Sequence, residues 1–265
     1  MRHDGRTLII GASGFLGLHA ARALKAAGRG VVGLGPAAAG EPFADFVVGR
    51  SELTALLDQA LAGVDVVIYL GGTSRPAVGM TRVSDEIMRE ANHVLDLAEL
   101  CAARKTCRFV FASSGGTVYG VTDGRPVVET TPLDPTNAYG LSKVVAEQGL
   151  RLVARRTGLE VVSLRISNPY GPGQRVKAGQ GFIAAVCQAM TTGAPVTIWG
   201  DGGAVRDFVY VEDVAQAFVR ASAPGGPTGS YNIGSGEGHS LIEICRLAEQ
   251  IAGRPRLPPH PALSA

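Results

Sequence analysis

The sequence predicts a doubly wound parallel α/β sheet with a small C-terminal lobe, and three observations carry that expectation. Short runs rich in Val, Ile and Leu alternate with helical repeats. A glycine-rich turn joins the first such run to the first helix, and Gly/Pro-dense chain breaks the alternation after Ile166. Strands are expected at residues 7–10, 30–34, 46–48, 64–70, 108–112, 160–166, 207–211 and 230–233. Between the first two, residues 15–27 place Leu16, Ala20, Leu24 and Ala27 on one helical face, with Gly28 free to cap the end. A longer helix over 82–104 turns Val83, Ile87, Val94, Leu95, Ala98 and Cys101 inward. A third runs from 138 to 156, where Arg155 and Arg156 suit the negative end of the helix dipole and Gly158 follows. At Asn168-Pro169-Tyr170-Gly171-Pro172-Gly173 the chain is expected to leave the sheet. Residues 1–167, rejoined by about 207–235, would form the larger domain, and 168–206 with 236–265 the lobe.

Bulk properties narrow the partner. A chain of 265 residues with net charge +2 and 18% charged residues has no strong field to attract nucleic acid or an anionic membrane. No stretch approaches the roughly 20 apolar residues needed to span a bilayer, and Met1 to Arg6 lead into the first strand without a signal-peptide pattern. Cys101, Cys107, Cys187 and Cys245 are scattered without a metal or redox spacing, and buried free thiols in a cytoplasmic protein are expected. His3, His19, His93, His239 and His260 form no ligand cluster, so no metal is expected. Trp199 is expected to cap the small lobe. The stretch 35–40 and the tail after Gly253 carry no chemistry.

Two constellations do. Gly11-Ala12-Ser13-Gly14-Phe15-Leu16-Gly17 sits between a buried strand and a helix, where glycines allow a tight turn and close approach of a pyrophosphate to the helix N-terminus. That is a Rossmann-type nucleotide-binding opening. Its usual acidic partner after the second strand is missing, because Leu34-Gly35-Pro36-Ala37 stands there. Arginine and lysine are missing too, so the residues leave NAD and NADP open. The second constellation is Tyr139-Gly140-Leu141-Ser142-Lys143. Residues four apart share a helix face, and an ammonium beside a phenol favours phenolate, a general base.

With Ser113-Ser114-Gly115-Gly116-Thr117-Val118-Tyr119-Gly120, the segment from Arg165 to Gln174 and the segment from Val205 to Ala215, these motifs resemble an extended short-chain dehydrogenase/reductase of the nucleotide-sugar epimerase and dehydratase group. The resemblance runs from Thr7 to about Gly253. It implies NAD held by Gly11, Ser13, Gly14, Phe15, Leu16 and Gly17, by Leu70-Gly71-Gly72, by Asn92, and by Tyr139 and Lys143. A UDP-sugar would be held by Ser114, Thr117, Asn168 and Arg206. It further implies a homodimer built from helices such as 82–104 and 138–156. The leading reaction is 4-epimerisation of a UDP-hexose: Tyr139 takes the 4-hydroxyl proton while hydride leaves C4, giving a transient 4-keto sugar. An oxidoreductase of the same fold and a non-catalytic nucleotide-binding protein stand as alternatives.

Departures accompany the matches. Gly115 stands where UDP-galactose 4-epimerases usually carry a serine, so Ser114 or Thr117 must supply the hydroxyl, or Tyr139 works unaided. Gly116 and Thr117 are not the acids that dehydratases and decarboxylases use there, which disfavours elimination and decarboxylation. Val48-Gly49-Arg50 offers no carboxylate to adenine, and the end at Ala265 implies a shortened lobe.

Overall fold

A computed structural model describes residues 5–36, 43, 45–48, 54–72, 82–122, 124–176, 181–193, 195–198 and 200–253. Seven parallel strands form the main sheet: β1 (Arg6–Ile10), β2 (Gly30–Gly35), β3 (Asp45–Val48), β4 (Val66–Tyr69), β5 (Arg108–Ser114), β6 (Glu160–Ile166) and β9 (Gly229–Ile233). Their order is β3-β2-β1-β4-β5-β6-β9. The chain winds outward from β1 in one direction, then returns to β4 and winds in the other, so the winding reverses between β1 and β4.

Strand alternation decides which helix covers which face. Leu8, Ile10, Val67, Tyr69, Phe109 and Phe111 turn to one core, shared with α2 (Thr54–Ala60), α3 (Val83–Ala103) and α4 (Ala138–Thr157). Ile9, Val66, Ile68, Val110, Val162 and Leu164 turn to the other, shared with α1 (Phe15–Ala26) and α6 (Val211–Ala221). A slip of one residue in any central strand would exchange these sets, and each large side chain contributes roughly 1.5–3 kcal/mol on burial, so register is strongly specified.

A second, smaller sheet has β8 (Val205–Tyr210) at its centre, parallel to β7 (Asn168–Tyr170) and antiparallel to β10 (Gly238–Ser240). Beside it, α5 (Phe182–Thr192) and α7 (Leu241–Ala252) enclose a small core of Val186, Ala189, Met190, Val196 and Ile198. The strand expected at 207–211 thus lies in the second sheet rather than the main one, and Val211 opens α6. Two inward positions also differ: Val83 is 50% exposed at the start of α3, and Ala27 is the exposed cap of α1. Of the thiols, Cys101 is buried, Cys245 is half-buried, and Cys107 and Cys187 are exposed. Trp199, Gly49, Arg50, His3, His260, residues 37–40 and the tail from 254 lie outside the described residues.

Candidate active site

The pieces singled out in the sequence follow the carboxyl ends of adjacent strands: 11–17 after β1, 70–72 after β4, 114–117 from β5, and 168 after β6. In an open α/β sheet that edge, where the winding reverses, is where ligands bind. Gly11 turns there with φ +85°, and a Cβ on it would lie 2.8 Å from the carbonyl carbon and oxygen of Leu70. A Cβ on Gly17 would lie 2.5 Å from the Gly11 carbonyl oxygen. Both positions therefore require glycine, and they bring α1 down onto the turn. Gly14 begins α1 without a side-chain cap. A helix leaves its first amides without intrahelical acceptors, so those of Phe15, Leu16 and Gly17 offer donors to an anion. His19, on α1, approaches the Pro172 carbonyl at 2.9 Å and ties this helix to the 171–173 loop.

Tyr139 and Lys143 stand on the first turns of α4. Asn137 caps that helix by accepting from the Gly140 amide at 2.8 Å. A Cβ on Gly140 would meet the Thr117 carbonyl oxygen at 2.6 Å, so glycine lets α4 press against the strand-end loop. Tyr139 is half-buried there. Lys143 is buried, its Nζ 5.5 Å from the centre of the Tyr139 ring and 4.8 Å from that of Phe111. The helix face shared by tyrosine and lysine is thus as expected, but the ammonium is not free to act alone: it donates to Glu90 Oε1 at 2.8 Å. Glu90 turns from α3 to Lys143, whereas Asn92, two residues on, is exposed. The sequence places Glu90 between the inward Ile87 and Val94 of α3, but its pairing with Lys143 requires the fold.

The hydroxyls separate by environment. Ser113 is buried and donates to Glu147. Thr117 Oγ1 is buried with no hydrogen-bond partner among the described residues. Gly115 lies against β6, where a Cβ would be 2.9 Å from the Arg165 carbonyl oxygen, so a serine there would need the strand to give way.

A polar network supports this edge from beneath. Arg165 on β6 donates to both carboxylate oxygens of Glu147 on α4 and, at 2.8 Å, to the hydroxyl of Tyr119. Tyr119 in turn donates to Asn232 Oδ1 at 2.6 Å. The Asn232 amide donates to Glu129 at 2.9 Å, and that bond holds the Glu129 carboxyl below its ordinary value. Tyr119 is therefore a strut for the 115–132 segment. Charged residues at inward positions of β6 and α4 were visible in the sequence, but their pairing requires the fold.

Asn168 and Arg206 lie on the adjacent strands β7 and β8 of the second sheet. Asn168 donates to the Asp207 carbonyl at 2.9 Å, and Arg206 is exposed, its Nη1 donating to the Val205 carbonyl at 2.8 Å. No group of histidines, cysteines and carboxylates that could hold a metal occurs among the described residues.

Known proteins are similar to this chain in sequence and in fold. The UDP-glucose 4-epimerase of Mycolicibacterium smegmatis is 31% identical over 277 residues, covering 97% of this chain and 86% of that protein. The dTDP-4-dehydro-6-deoxyglucose reductase of Escherichia coli is 42% identical over 142 residues, 54% of this chain and 45% of that protein. Among solved structures, UDP-glucose 4-epimerase from Thermotoga maritima with UDP-glucose superposes with TM-score 0.88 at 28% identity, covering 98% of this chain and 85% of that one. The Thermus thermophilus UDP-glucose 4-epimerase in complex with NAD gives TM-score 0.85 at 32% identity, covering 97% and 86%. The pattern of the NAD dependent epimerase/dehydratase family matches residues 7–234. That match runs from the second residue of β1 to the residue after β9, through the whole main sheet and its ligand-binding edge, and the chain belongs to this family.

Proposed function

We propose that this protein is an NAD-dependent epimerase that inverts C4 of a UDP-hexose. The observation that carries the reading is the pairing of Tyr139 and Lys143, one turn apart on α4, on a helix that Gly140 lets press against the Thr117 carbonyl at the end of β5. The cradle suits the cofactor: Gly11 and Gly17 leave no room for a Cβ, and α1 starts without a side-chain cap. Phe15, Leu16 and Gly17 would hold the pyrophosphate, with Ser13 and Gly14 in the same turn, and Leu70, Gly71 and Gly72 would line the cofactor from the end of β4. NAD would supply a reversible hydride acceptor for C4, with the sugar passing through a 4-keto form. Tyr139 removes the 4-hydroxyl proton and restores it. Lys143, held by Glu90, would turn its ammonium to the ribose hydroxyls. We assign the assisting hydroxyl to Thr117 rather than Ser114, because its buried oxygen has no partner among the described residues. Asn92, exposed on α3, belongs to the same proposal as a contact for the cofactor.

The segments 168–206 and 236–265 act as the substrate lobe, and Arg206, exposed on β8, is free to turn its guanidinium to a diphosphate. The homodimer expected through α3 and α4 belongs to the same proposal, supported by Leu152, 55% exposed on α4. No helix among the described residues is long and apolar enough to cross a membrane, and a cytoplasmic enzyme is the location we propose.

The test is incubation of the purified protein with UDP-glucose, UDP-galactose and their N-acetyl and uronate counterparts without added cofactor, followed through the anomeric protons by NMR. Interconversion of one 4-epimeric pair is expected; protein that carries NAD yet leaves every pair unchanged would overturn the proposal. Similarity to the E. coli reductase favours, as a second reading, reduction of a nucleotide-linked keto sugar. Such an enzyme would consume external nicotinamide one for one, and the epimerase would not.

A further inference from the structure

The ion pair of Lys143 with Glu90 has a consequence for the base. The two side chains, 5% and 2% exposed, come from neighbouring helices of one core and meet at 2.8 Å. From α3, His93 meets the ring of Tyr69 on β4 at 5.8 Å. From β5, Phe111 lies under the ammonium. From α4 come Tyr139 and, one turn beyond Lys143, Glu147, whose carboxylate is taken by Arg165 and Ser113. After β4, Gly72 stands so close that a Cβ would lie 3.0 Å from Glu90 Oε1. Glu90 thus directs a carboxylate at Lys143, and both groups are nearly inaccessible to solvent.

We infer that Glu90 is a positioning residue of this site, one that cancels most of the ammonium's field at Tyr139 and so sets the pH at which the phenol becomes a base. This rests on the reading of Tyr139 as that base. An isolated ammonium within about 4–6 Å of an acid lowers its pKa by roughly 1–3 units. A tight pair of opposite charges acts instead as a dipole, whose effect falls away much faster with distance. The carboxylate also holds Nζ in place before any ligand arrives, so Lys143 meets the ribose from a fixed position.

Tyrosinate absorption isolates the effect when each protein is measured against the same protein carrying Tyr139→Phe. With Glu90→Gln, the Tyr139 titration and the acid limb of kcat are both expected to move down by about one pH unit. Glu90→Asp keeps the charge and is expected to return both toward the parent. A second measurement serves if the glutamine variant does not fold. In Lys143→Met the lone buried carboxyl takes up a proton, so the pair vanishes as a unit, and Tyr139 is expected to move by less than about half a unit. A folded Glu90→Gln protein with Tyr139 unmoved would overturn the inference, as would a rise of more than about one unit in Lys143→Met. If Tyr139 shifts as stated while no sugar is epimerised, Glu90 keeps its role and the proposed reaction falls.

Discussion

Thr117 shows how one side chain can carry opposite stability and activity signals. Its Oγ1 is buried without a partner among the described residues, a condition that costs roughly 1–3 kcal/mol until something accepts or donates there. Thr117→Val keeps the shape and removes the hydroxyl. The free protein is expected to be as stable or more so, by up to about 1 kcal/mol, while turnover falls at least tenfold, or about 1.4 kcal/mol in barrier. Thermal unfolding and initial rates check the two signs. Loss of stability with unchanged turnover would assign the residue to packing alone. Ser114→Ala, by contrast, is expected to stay within about threefold of the parent rate. Sequence left Ser114 and Thr117 as equals because both are hydroxyls near Gly115, and only burial in the folded loop separates them.

At the scale of elements, the long amphipathic helices were the most legible. α1, α3 and α4 each bury one stripe against the sheet, so their periodicity survives in the sequence. α2, α5, α6 and α7, and the three-residue strands β7 and β10, are not legible in it. α7 buries no residue fully, which blurs its stripe, and a three-residue strand is too short to show alternation. The contact between α1 and its turn also makes a prediction. In Gly17→Ala the new Cβ would face the carbonyl oxygens of Gly11 and Ala12 at 2.5 and 2.6 Å, and backbone cannot yield as a flexible side chain would. Overpacking there is expected to cost about 1–3 kcal/mol of stability. Nicotinamide binding should weaken at least tenfold, because the amides of α1 move off the phosphate position. Calorimetric titration with NAD checks this; unchanged affinity would place the pyrophosphate elsewhere.

For the molecule as a whole, the network centred on Glu147 and Arg165 joins α4, β5, β6 and β9 beneath the site. Both partners are nearly inaccessible, at 0% and 4% exposure, so removing one strands a buried charge, at a cost of about 3–5 kcal/mol. Arg165→Met alone is therefore expected to lower stability by that amount in chemical denaturation. Arg165→Met with Glu147→Leu should recover much of it, and a double variant no better than the single would show that the network does not act as a pair. By itself, the sequence determined the parallel sheet, the glycine turn and the tyrosine–lysine helix face, because each depends on residues close together in the chain or on a local period. Only the tertiary structure decided that Glu90 answers Lys143, that Arg165 answers Glu147, that Tyr119 is a strut and that the strand at 205–210 leaves the main sheet. Those outcomes depend on which distant segments share a low-dielectric interior, where an unpaired charge or hydroxyl is costly and its partner is chosen by packing rather than by spacing.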